Sequence, residues 1–359
     1  MATKFLSRYK FGANISVRRA FRAYKVKEYE AMFNSLKHVK PVNFITNKEE
    51  DMSILHDAAY KGDFECIDVL KELPYFEEII NDNTNVHEWT PLLWATAKNN
   101  FGMVKKLYKL GGNMIKPKKD GLTCLHISAT NNNVHILNYL LENRPTKSID
   151  IENAEGWTPA HFAAFMNAYD SLNLLIEHGA NLWHKHQHNH DVFEEIIRSN
   201  DENFLGCVYD IYTSKKRDLT QKQSYSLMHL AAGTDAFKIV EFLASQGENI
   251  NQICNYKDKA TPLHFAMLSN NFSSGKILLK WGAKPNLQDN LGNTPYHFAV
   301  TSKNRQLLQL LEDHKGNALI ENHDGMNAID LAGIENIRAA KLFFLNYPKY
   351  KTFMAENGY

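Results

Sequence analysis

Thr261-Pro262-Leu263-His264-Phe265-Ala266 is followed, 33 residues later, by Thr294-Pro295-Tyr296-His297-Phe298-Ala299. Working back toward the N-terminus, the same phrase stands as Thr158-Pro159-Ala160-His161-Phe162-Ala163-Ala164 and as Thr123-Cys124-Leu125-His126-Ile127-Ser128-Ala129. A fixed period of this size marks a stacked array, in which each unit buries its apolar face only against its neighbours. Taking the Thr position as anchor, the units open at Ser53, Thr90, Thr123, Thr158, Asp191, Ser226, Thr261, Thr294 and Asn327, spaced 33 to 37 residues apart. Nine units therefore run from about Met52 to Leu345.

Each unit has the same grammar. Thr is placed to cap a helix and Pro to occupy its first position, where a missing N–H does no harm. The His sits one turn in, within reach of the turn backbone. Small pairs such as Ala58-Ala59, Ala163-Ala164 and Ala231-Ala232 admit a close second helix. That second helix carries runs such as Ile136, Leu137, Leu140, Leu141, or Leu307, Leu308, Leu310, Leu311. It ends at a glycine, as in Gly179-Ala180-Asn181 or Gly282-Ala283, where a positive φ is expected.

These motifs closely resemble the ankyrin repeat family, over roughly four-fifths of the chain (residues 52–345). The match is strong at Thr123, Thr158, Thr261 and Thr294, and weaker at Asp191 and Asn327. The resemblance implies an all-α ankyrin-repeat solenoid: paired antiparallel helices, hairpin loops projecting as fingers, and a concave helix face that binds other proteins. A tetratricopeptide array shares the period but lacks the Thr-Pro-Leu-His phrase and the Gly-Ala turn.

The domain reading is a basic arm (1–27), a capping helix and linker (28–51), the solenoid with an irregular fifth unit (191–225), and a short tail (346–359) in which Tyr347-Pro348 is expected to end the last helix. Cys66, Cys124, Cys207 and Cys254 are scattered without a Cys-x-x-Cys, as small buried hydrophobes in a reducing compartment would be. No apolar run approaches the roughly 18 residues that span a bilayer. Phosphate-binding, dinucleotide, serine-hydrolase and zinc-protease motifs are missing, so no catalytic residue and no cofactor is assigned, and the chain is read as a non-enzyme.

Charge is distributed unevenly. The net charge of +1 conceals eight basic residues and no acidic one within residues 1–27, leaving 33 basic against 40 acidic in the rest. Arg18, Arg22 and Lys25 share one face of a helix there, and Val17, Phe21 and Tyr24 another. That is the pattern of a mitochondrial presequence. A structural cap with a solvated basic face is the alternative, as is an arm contacting RNA or anionic lipid. Downstream, Tyr29, Met32, Phe33 and Leu36 follow i, i+3, i+4, i+7 and read as a cap for the first unit.

His184, His186, His188 and His190 alternate along one segment. In an extended strand all four would face one side and offer imidazoles to zinc, nickel or copper. By register the segment is instead a finger between the fourth and fifth units, with Trp183 at its base. The repeated His56, His126, His161, His229, His264 and His297 occupy the structural motif position. Lys215-Lys216-Arg217 lies in a stretch that departs from the family and suits an acidic partner. The resemblance places further contact candidates at finger tips: His87, Glu88, Asp120, Glu155, His186, His188, Asp258, Lys259, Asn290 and Asp324. Trp89 and Trp157 stand at finger roots, as packing residues or binding anchors.

The expectation is a non-catalytic interaction scaffold with a protein partner, an accessory subunit of a mitochondrial assembly such as a respiratory-chain complex or the mitochondrial ribosome. A cytosolic, ciliary or cytoskeletal adaptor is the second reading. A metal-binding module built on His184 to His190 is the third.

Overall fold

A computed structural model describes residues 15–38, 53–83, 88–145, 148–206, 208–209, 213, 226–254, 259–335 and 337–358. The sequence candidates His87, Lys215, Lys216, Arg217 and Asp258 lie outside these residues, as do residues 1–14 of the basic arm. Contacts divide the chain into two units, residues 1–192 and 193–359. Helices are the only multi-residue regular elements among the described residues.

The first unit opens with α1 (15–25) and α2 (Tyr29–Leu36). Four helix pairs follow. These are α3 (Ile54–Lys61) with α4 (Phe64–Leu70), α6 (Pro91–Ala97) with α7 (Phe101–Lys109), α8 (Cys124–Thr130) with α9 (Val134–Asn143), and α10 (Pro159–Phe165) with α11 (Tyr169–Glu177). A single-turn helix, α5 (Phe76–Ile79), follows α4. The first helices of the pairs stack on one another, α3 on α6 on α8 on α10, and the second helices α7, α9 and α11 form the parallel layer.

The second unit takes up α12 (Val192–Ser199) and the described part of α13 (202–206). Its pairs are α14 (Leu227–Gly233) with α15 (Phe237–Ser245), α16 (Pro262–Leu268) with α17 (Phe272–Lys280), α18 (Pro295–Thr301) with α19 (Arg305–Asp313), and α20 (Ala328–Ile334) with α21 (Arg338–Phe344). α22 (Pro348–Glu356) closes the chain.

The Thr-x-x-His phrase works as read, and does more. In α16 the Thr261 hydroxyl and its backbone N–H both reach His264 Nδ1, at 2.8 and 3.0 Å. An N–H donating to Nδ1 fixes the neutral tautomer with the proton on Nε2. That proton is donated forward to Asn293 C=O at 3.0 Å, the carbonyl just ahead of the next anchor. The same forward bond runs from His56 to Trp89 C=O (2.8 Å), His126 to Trp157 (3.0 Å), His229 to Ala260 (3.1 Å) and His297 to Met326 (3.0 Å). Each motif histidine therefore closes its own turn and holds the next finger. The second repeat omits it: Leu93 stands in place of His, and Thr90 caps alone through Leu93 N–H at 3.2 Å.

Three expectations change. The fifth unit's first helix is a regular eight-residue helix, with Val192, Phe193, Ile196 and Ile197 buried. The tail is not loose: Pro348, read as a stop, is the first residue of α22. Tyr350 and Met354 are buried, and the Tyr350 and Tyr296 hydroxyls donate to Glu312 Oε2 at 2.7 and 2.9 Å. In the head, α1 buries Val17, Ala20, Ala23 and Tyr24, while Phe21 is only half-buried. Tyr29 Oη donates to Asp63 at 2.8 Å and Tyr75 Oη to Leu36 C=O at 2.6 Å, which tie α2 to the first helix pair.

Candidate interaction surface

The fingers are built by short acidic or amide side chains. Asp289 Oδ1 accepts the N–H groups of Leu291 and Asn293 at 2.9 and 2.8 Å, closing a turn at Gly292. Asn153 does the same for Glu155 and Trp157, and Asn322 for Asp324 and Met326. Neighbouring fingers are tied by backbone bonds: Ala154 N–H to Asp120 C=O at 3.0 Å, Gln187 N–H to Glu155 C=O at 3.0 Å, and His323 N–H to Leu291 C=O at 2.9 Å. Among the tip candidates, Glu88, Asp120, Glu155, His188, Lys259, Asn290 and Asp324 are exposed. Asp120 is not free, since it pairs with Lys118 and caps Leu122 N–H. Trp183 is half-buried at the base of its finger, its backbone N–H donated to Asn181 Oδ1.

The histidine finger is a tight turn, which folds the His188 and His190 rings edge-on against His186, at 5.5 and 5.4 Å. His186 N–H donates to His190 C=O at 3.2 Å and Asn189 N–H to His186 C=O at 2.8 Å, with Asn189 in the left-handed region (φ 63°). His184 turns back, its Nε2 3.2 Å from Gly156 C=O and 3.5 Å from the Glu152 carboxylate. His186 is buried, stacked on Trp157 at 4.5 Å and 14°, with its Nδ1 accepting the His188 N–H at 3.1 Å. His188 is exposed. The row predicted for an extended strand does not form. His186 and His190 are brought together, with ligand nitrogens within 4.8 Å.

The main surface was not singled out from the sequence. Four, seven and eight residues after each anchor, the first helices point a side chain away from their partners. In the first unit these positions hold Asp57, Trp94, the buried Ile127 and Phe162, then Tyr60, Ala97, Thr130 and Phe165, then Lys61, Lys98, Asn131 and Met166, so the large apolar side chains gather around Trp94 and around Phe165. Trp94 stacks on Trp89 at 4.5 Å and meets Tyr60 edge-on at 5.3 Å. Lys98 Nζ lies 4.1 Å over the Tyr60 ring and Lys118 Nζ 5.5 Å over Trp89. Two repeats on, Trp157 packs against Phe162 at 5.2 Å and edge-on against Phe165 at 5.5 Å. Phe165 and Met166 stay 57% and 51% exposed. Among the described residues, the buried indole N–H groups of Trp94 and Trp157 meet no acceptor. In the second unit the first of these positions holds Leu230, Phe265, Phe298 and Leu331 and the second includes the exposed Leu268 and Ile334, whereas the third is polar, with Thr234, Ser269, Ser302 and Glu335. A partial signal for this existed: reading the residues at fixed offsets after each anchor picks out Trp94, Tyr60, Phe162, Phe165 and Met166 among polar neighbours.

In each unit the motif histidines are buried. Burial pushes His126, His161 and His229 down to about 4 from the usual imidazole value. His161 is lowered further by the neighbouring His186 and His184.

This arrangement of stacked helix pairs with tied fingers and an apolar helix face defines a helical-repeat interaction module. A family model described as ankyrin repeats, three copies, matches residues 22–116, 102–186 and 187–289. The chain belongs to the ankyrin-repeat family. It is 22% identical to a putative ankyrin repeat protein of Rickettsia felis, over 93% of this chain and 91% of that protein. It is 26% identical to the NAD-dependent deacetylase sir2B of Dictyostelium discoideum over 68% of this chain, which spans only 32% of that longer protein. Among solved structures, the ankyrin repeat domain of Bcl-3 superposes with a TM-score of 0.51 at 22% identity, covering 59% of this chain and 95% of that one. That likeness bears on the fold alone.

Proposed function

We propose that the chain is a non-catalytic adaptor that seats a protein partner on the first-helix face of residues 53–166. The observation that carries this reading is the exposed Phe165–Met166 pair against Trp157. Large exposed apolar side chains grouped beside tryptophan are the usual anchors of an interface. The test compares partners co-purified under mild conditions by the wild type and by a Phe165→Ala/Met166→Ala variant. Both side chains are exposed, so the variant folds normally. The partner set is expected to be lost; retention of the same set at the same yield refutes the assignment.

For location, the burial of Val17, Ala20, Ala23 and Tyr24 supports the adaptor reading, in which the head is a structural cap. The mitochondrial accessory-subunit reading rests on the same basic segment. Residues 1–30 fused to a reporter separate the two: a cytosolic reporter supports the cap, and mitochondrial import supports the subunit.

A further inference from the structure

One face of α1 is accounted for by packing. Val17, Ala20, Ala23 and Tyr24 are buried, and Lys61 Nζ of the first repeat sits 5.4 Å over the Tyr24 ring. The opposite face follows the helical spacing i, i+3, i+4, i+7, i+11 and holds Ile15, Arg18, Arg19, Arg22 and Val26. All five are exposed, Ile15 by 52% and Val26 by 66%. Among the described residues, none of the three arginines has an ion-pair partner. Lys25, beside them, lies 4.9 Å over the Phe21 ring.

We propose that this face of α1 docks on an anionic lipid surface. Packing already fixes the helix orientation, so the cations are presented together with little ordering still to be lost. Acidic residues are missing from residues 1–27, while the rest of the chain has 33 basic against 40 acidic residues. A negatively charged plane therefore attracts this end and repels the remainder, which sets the approach direction. Ile15 and Val26 bracket the arginines, and aliphatic groups flanking cations suit the headgroup boundary. A single-stranded nucleic acid would want open aromatic faces for stacking. Here Tyr24 is buried and Phe21 is covered by Lys25.

The test uses the full chain and co-sedimentation with vesicles of phosphatidylcholine alone or mixed with phosphatidylserine. Binding is expected only to the mixed vesicles and weakens as salt is raised. An Arg18→Gln/Arg19→Gln/Arg22→Gln variant is expected to partition roughly a hundredfold less, from about 1 kcal/mol per cation. Its circular dichroism and melting should match the wild type, because the three side chains are exposed. Wild-type binding to both vesicle types equally, or to neither, overturns the proposal, as does unchanged partitioning of the variant. Tight binding to an RNA oligomer that phosphatidylserine vesicles fail to compete away would reassign the face to nucleic acid and overturn it too.

Discussion

Acidification from pH 7 to pH 5 should unfold this array from within, through its motif histidines. In the folded chain Nδ1 of His126 accepts the Thr123 N–H at 3.1 Å, and Nε2 donates to Trp157 C=O at 3.0 Å. A proton added at Nδ1 meets a donor, and the buried ring is poorly placed to carry a charge. Burial thus holds His126, His161 and His229 at about 4, against roughly 6.5 in an unfolded chain. The unfolded state binds the extra protons, so stability rises with pH. The contribution is complete above pH ~6.5 and is lost as pH falls toward ~4. At pH 5 each of the three loses about 2 kcal/mol relative to neutral pH, about 5–6 kcal/mol together. That is comparable with the whole stability of an ordinary domain. His56, His264 and His297 are lowered as well, chiefly by burial, and act in the same direction. The carboxylates held low, Asp68 and Asp120, act only in a more acid window. Urea melts followed by far-UV circular dichroism at several pH values between 7.5 and 5 measure the effect. The midpoint should hold near neutrality and then fall by roughly 2 M. A midpoint at pH 5 equal to that at pH 7.5 would refute the claim that these imidazoles are buried and neutral.

Other perturbations address single contacts. Gly121→Ala forces a Cβ to 2.5 Å from Ala154 N at φ +87°, and should lower first-unit stability by about 1–3 kcal/mol in urea melts. Glu312→Gln removes the charge that collects the Tyr296 and Tyr350 hydroxyls and Lys349 Nζ (2.5 Å), and should cost about 1–3 kcal/mol. Limited proteolysis should then cut α22 first. Burial would raise the Glu312 carboxyl, but Lys349 and the two hydroxyls hold it below its usual range. Deleting residues 1–27 uncovers the first repeat, and hydrogen exchange should show α3 and α4 losing protection while α16 to α19 keep theirs.

What the sequence disclosed depended on which constraint acts on a residue. The motif residues are fixed by internal contacts, so the anchors Thr90, Thr123, Thr158, Thr261 and Thr294 all turn out to cap helices. Even the weak anchor Asn327 does so, with Asp330 replacing histidine: its Oδ2 accepts the Asn327 N–H at 2.9 Å. A carboxylate closes the turn as the imidazole does, but carries no proton forward to a following carbonyl. The same logic explains the misreading of Pro348. Proline marks either the end of one helix or the first residue of the next, and the local string does not distinguish them. The choice is made by Tyr350, two residues on, which must reach Glu312 from a helix. The candidate surface was hidden for the opposite reason. Phe165, Met166 and Trp94 satisfy no turn and no cap, so nothing in the repeat grammar calls for them. Their apolar character on the open side of first helices is unexplained by folding, and for that reason a partner is its simplest physical account.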